Sequence, residues 1–109
     1  MSMYGFRIKH NNETFAVALE NGCVSCFVES LQGDRRISVG GCDRQGRDYQ
    51  WYGCRLRPGD DIEISFEDIA ESEIPAARIL DFTKPEDRKA KMIEEYRRLR
   101  QALVEDGLL

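Results

Sequence analysis

Apolar and polar residues alternate through the first three-quarters of the chain. "YGFRIKH" places Tyr4, Phe6 and Ile8 on one side and Gly5, Arg7 and Lys9 on the other, the period of a half-buried strand. "NNE" predicts a turn, and "TFAVALE" repeats the pattern with Phe15, Val17 and Leu19 on one face. Asn21-Gly22 reads as a two-residue hairpin turn leading into the strand "CVSCFVESL". "QGD" predicts another turn, and "RRISVGG" a strand with Ile37 and Val39 facing one way. Gly40-Gly41 carries no phosphate-loop signature and marks a bend or bulge. The polar loop "DRQGRD" leads to "YQWYGCRL", a strand with apolar residues on both faces. After the turn Arg57-Pro58-Gly59-Asp60, "DIEISFED" sends Ile62, Ile64 and Phe66 inward and Asp61, Glu63, Ser65 and Glu67 outward.

The period then changes. Thr83, Pro85 and Glu86 read as a capping box with proline in the first helical turn. Met92, Tyr96, Leu99 and Leu103 follow at helical spacing, Ile93 widens the stripe, and Gly107 suits a helix end. A helix over residues 84–105 is predicted, preceded by an irregular connection with a short edge strand near residues 77–82. The expected fold is mainly β (α+β): an antiparallel β-sandwich or partly open barrel of about six to seven strands with one long C-terminal α-helix. Residues 1–82 form the antiparallel β part of a single domain, and residues 83–109 pack as a helix on the sheet or on a second subunit. The stripe Met92, Tyr96, Leu99 and Leu103 is thus a candidate homodimer contact.

Composition narrows the setting. The 109 residues are 41% hydrophobic and 33% charged, within the size of one domain. No apolar run approaches the ~18 residues of a membrane span, and the N-terminus lacks a signal-peptide core. A cytoplasmic protein with reduced thiols and no membrane contact is expected. Net charge is −4, unevenly spread. Residues 32–58 hold six arginines against three aspartates, while residues 59–81 hold eight acids against Arg78.

Four cysteines raise the question of a metal. In an extended strand Cys23 and Cys26 point to opposite faces, so they share a ligand only if "CVSC" is a turn. The turn residues lie before the pair, at Asn21-Gly22, which favours cysteines acting as small core residues. No metal or cofactor is expected; a zinc-stabilised four-cysteine module is the alternative, and a disulfide a further one. His10 is the only histidine and is expected to end a strand exposed. No nucleophile motif accompanies it, and the acid pairs Asp60/Asp61 and Glu71/Glu73 read as solvated faces, so no catalytic residue is assigned.

Two stretches carry binding chemistry. In "RDYQWYGCRLR", Tyr49 and Trp51 share a face with Arg47 and Arg55 in line, a composition found at interface hot spots and on single-strand nucleic-acid platforms. Trp51 as a core tryptophan is the competing reading. The acidic run with Asp61, Glu63 and Glu67 would suit a basic protein partner and argues against nucleic acid for the domain as a whole.

"ISVGGCD" followed by "YQWYGCRLRPGDDIEISFED" and "ESEIP" resembles small bacterial β-rich proteins with a "VGGLD … W … L-x-x-GD-x-I-x-I" pattern, similar in style to immunity proteins of toxin systems. The resemblance covers residues 37–75 and brings no catalytic residue. It implies a binding or neutralising protein, and places Cys42 where leucine is usual, as a core residue would be. The expected function is therefore a non-enzymatic protein-binding module, an immunity-like inhibitor meeting a basic toxin or effector through a charged sheet face. Small-ligand or nucleic-acid binding through Tyr49, Trp51 and nearby arginines is the alternative.

Overall fold

The computed structural model describes residues 2–31 and 34–109. The turn expected at Gln32-Gly33 lies outside the described residues. Seven strands are described: β1 (Ser2–His10), β2 (Glu13–Val17), β3 (Gly22–Leu31), β4 (Asp34–Asp43), β5 (Arg47–Arg55), β6 (Ile62–Ala70) and β7 (Arg78–Asp81). A 3-10 turn, Glu71–Glu73, precedes β7, and the helix α1 spans Pro85–Glu105. The strands form two antiparallel sheets that do not close into a barrel. Sheet A has the order β2-β1-β6 and sheet B the order β3-β4-β5-β7.

Alternation in sequence becomes a shared core. Ile8 and Val17 from sheet A meet Ile37 and Val39 from sheet B, all buried, with Phe15, Cys26, Trp51, Tyr52, Cys54 and Ile62 packed around them. A smaller cluster of Ala16, Ala18 and Ile69, covered by Met3 and Ile74, lies on the other face of sheet A. Ile64 and Phe66 share the inward face with Ile62, but sheet B covers only part of it. Phe66 stays 67% exposed and stacks on Tyr4, with ring centroids 5.5 Å apart.

Three local expectations change. Asn21-Gly22 does not close a hairpin: β2 and β3 lie in different sheets, so this segment crosses between layers. The hairpin signal describes local turn preference and is blind to which sheet each flanking strand joins. The Thr83 capping box does not form either. Lys84 is the cap residue without a side-chain bond, while the Thr83 hydroxyl donates to Asp81 Oδ1 at 2.6 Å. Pro85 does occupy the helix start, and at the far end Gly107, at φ +75°, lets the Gly107 and Leu108 amides reach the Val104 and Leu103 carbonyls.

The third change concerns β5. The β4–β5 register shifts between Val39 and Gly40, beside the Gly40-Gly41 pair read as a bend or bulge. Tyr52 faces Val39 and Gln50 faces Gly40, so Trp51 is the extra residue. The bulge resets the period, and Trp51, Tyr52 and Cys54 all pack against the core. "Apolar on both faces" is one apolar face interrupted by an inserted residue.

Candidate functional site

The helix carries the most unusual surface. It lies over the outer face of sheet B, which holds Ser25, Ser38, Gln50 and Asp48 beside Arg36, together with Phe27 and, opposite Asp48, the buried Leu80; the rest of that sheet's apolar residues are spent on sheet A. The polar groups of this mostly polar floor attract the polar side of the helix. Arg98 pairs with the buried Asp34 and, at 2.8 Å, with Glu95; Arg78 pairs with Glu94; Arg55 pairs with Glu105. Ala102 is the one buried residue of the helix. Between helix and floor runs a groove of about 560 Å³, whose helix wall is Lys91, Glu94, Glu95 and Arg98.

The apolar stripe consequently points away from the sheet. Met92 is 70% and Tyr96 65% exposed, with Ile93 and Leu99 also open; Leu103 is half-buried. Lys89, Arg97 and Arg100 flank this stripe, are exposed, and make no ion pair among the described residues. The acids Glu94, Glu95 and Glu105 are taken up by ion pairs on the inner side. Glu94, Glu95 and Glu105 are thereby paired on the inner side, while Lys89, Arg97 and Arg100 surround an uncovered apolar ridge.

The other predicted site residues fall in different places. Glu63 and Glu67 lie on β6, at the edge of sheet A and opposite its core face, and Asp61 immediately precedes that strand. Arg7 takes up Glu67 and Glu73, each at 3.0 Å, and these contacts hold both carboxyls below the usual glutamate range: the Ser65 hydroxyl and Arg7 for Glu67, the Ala70 amide and Arg7 for Glu73. Asp61 and Glu63 make no ion pair among the described residues. Tyr49 and Trp51 stack at 5.7 Å, and the Trp51 indole donates to the Pro75 carbonyl at 3.1 Å, tying the β6–β7 connection to sheet B. Asp43 accepts from the Gln45 and Arg47 amides, the Arg47 guanidinium and the Tyr49 hydroxyl. Arg47, Tyr49 and Arg55 thus already serve intramolecular contacts, and with Trp51 they do not form one open platform.

His10 is buried rather than exposed, because β5 and the β5–β6 turn close over the strand end. Its Nδ1 lies 2.7 Å from the Tyr52 hydroxyl and its Nε2 3.1 Å from Asp60 Oδ2. An ionised carboxylate only accepts, so Nε2 donates to Asp60. Burial, and then the Cys54 thiol, push the Tyr52 phenol up to about 12, so it stays protonated and offers no nucleophile at neutral pH.

The cysteines divide by face. Cys26 and Cys54 pack against the core, and burial pushes the Cys26 thiol up. Cys23 and Cys42 sit on the outer face of sheet B, exposed, against the core role expected for Cys42. The strand geometry argued for Cys23 and Cys26 holds, and among the described residues no three His, Cys, Asp or Glu side chains gather as a metal site. Sequence reasoning missed the pairing of Cys23 with Cys42, since nothing local indicates that β3 and β4 align them.

This arrangement is an open two-sheet β structure with an outward-turned amphipathic helix. No protein-family model, curated protein or solved structure matches the chain.

Proposed function

We propose that the chain is a non-enzymatic protein-binding module that docks a partner on the outer face of α1. One observation carries the reading: the helix turns its charged side to its own sheet and leaves Met92, Ile93, Tyr96 and Leu99 in water. A surface helix ordinarily buries such a stripe. Methionine, tyrosine and arginine are also enriched at interface centres. The exposed basic flank Lys89, Arg97 and Arg100 specifies the partner's chemistry: an apolar surface with an acidic rim, steered by charge. Like charges along the ridge disfavour pairing it with a copy of itself. The neutralising role implied by the immunity-like resemblance is a narrower form of this reading.

The basic-partner reading of sheet A keeps one supporting observation, the absence of ion pairs at Asp61 and Glu63 among the described residues. A photo-crosslinking residue placed at position 96, and separately at position 63, tests both in the native host. The helix reading expects a protein adduct from position 96 that is lost in Arg97→Glu/Arg100→Glu. Adducts only from position 63 would transfer the site to sheet A. Adducts only to lipid, with binding of the chain to anionic vesicles, would show the ridge to be a membrane contact and overturn the proposal.

A further inference from the structure

The β3–β4 register sets Cys23 directly opposite Cys42, and their sulfurs lie 3.3 Å apart as free, exposed thiols. Facing residues of antiparallel strands have Cα atoms about 4.5 or about 5.5 Å apart, depending on the pair type. Both values fall within the ~4.4–6.8 Å that a disulfide spans. Closing the bond therefore needs side-chain rotation and no movement of either strand. Both thiols line the groove under α1, so a small molecule reaches them from solvent. Cys26 faces the other side of the sheet and packs, with Cys54, against the core, leaving one accessible pair among four thiols.

We propose that Cys23 and Cys42 form a reversible dithiol–disulfide site that reacts with low-molecular-weight disulfides. In the first step the Cys23 thiolate attacks one sulfur of the small disulfide. The new bond joins Cys23 to that sulfur, the old S–S bond breaks, and the departing thiolate takes up the proton Cys23 released. In the second step Cys42 loses its proton and attacks the Cys23 sulfur, expelling the second small thiol. The protein's two thiols are oxidised by two electrons, and the small disulfide is reduced to two thiols. The order of attack follows from local charge. The hydrogen bond with Cys23, the charge of that sulfur, burial, and the carboxylates of Asp48 and Asp43 all raise the Cys42 pKa, which disfavours Cys42 as the first attacker.

The test uses the full chain equilibrated in glutathione buffers, alkylated and mapped by mass spectrometry. Oxidised glutathione should give one internal link, Cys23 to Cys42, with loss of about 2 Da and recovery of both thiols on reduction. Cys42→Ser should trap a stable glutathione adduct on Cys23. Cys23→Ser should give an adduct on Cys42 and no internal link; far-ultraviolet circular dichroism checks that both variants keep the fold. Separate glutathione adducts on the two cysteines of the unaltered chain would overturn the proposal. So would a link through Cys26 or Cys54, or two unreacted thiols under excess oxidant.

Discussion

Asp60 accepts from the Arg57 amide at 3.0 Å, the Asn11 side chain at 3.1 Å and His10 Nε2 at 3.1 Å. Those bonds, the backbone one first, lower its pKa from 3.8 to about 2. The unfolded chain lacks them and keeps the ordinary aspartate value of ~3.9. The folded state therefore binds a proton less readily. The Asp60 contribution is complete above about pH 5 and is lost as pH falls through about 2. Asp60→Asn should lower stability at neutral pH and flatten the acid limb of urea-denaturation midpoints between pH ~5 and ~2. Parallel limbs for variant and parent would show that the bonds do not form. None of this is visible from "RPGDD" alone. The turn is legible there, while the histidine that completes the cluster comes from fifty residues away.

At the scale of elements, the helix was legible in its length and stripe, and its rotation about its own axis was not. Two substitutions to alanine, the best helix former, separate the inner side from the outer without a propensity penalty. Arg98→Ala strips the partner from a buried carboxylate, Asp34, and should cost about 1–3 kcal/mol in chemical denaturation. Tyr96→Ala removes an exposed ring and should stay within about 0.5 kcal/mol of the parent. The reverse ranking would place the apolar stripe against the sheet. In sheet B, a methyl group built on Gly41 would stand 2.2 Å from the Cys23 carbonyl oxygen. Gly41→Ala should thus lose about 1–3 kcal/mol, measured by the same method. Full stability in that variant would mean that β3 and β4 lie farther apart beside the bulge.

The molecule as a whole is flat, measuring 49 × 39 × 16 Å with a Cα radius of gyration of 15.3 Å. A compact chain of this length has about 13 Å. The excess matches the incomplete cover of sheet A. Small-angle scattering from the dilute chain should return a radius near the larger value. A result near the compact one would show the sheets closing over Phe66 and Tyr4. The sequence placed nearly every strand, but the offset between the two sheets was not written in any one of them.

Side-chain period is a local property, fixed by the backbone dihedrals of each segment. The sequence by itself therefore determined the strands from "YGFRIKH" to "DIEISFED", the opposed directions of Cys23 and Cys26, an irregularity beside Gly40 and the helix over Pro85–Glu105. Pairing, register and layer depend on residues far apart in the chain, whose match is settled by the free energy of the whole packed arrangement. The tertiary structure alone decided that Asn21-Gly22 crosses between sheets, that His10 is buried beside Asp60, and that Cys23 faces Cys42. It also decided the orientation of α1, because the sheet's remaining open face is mostly polar and pairs with the charged side of the helix.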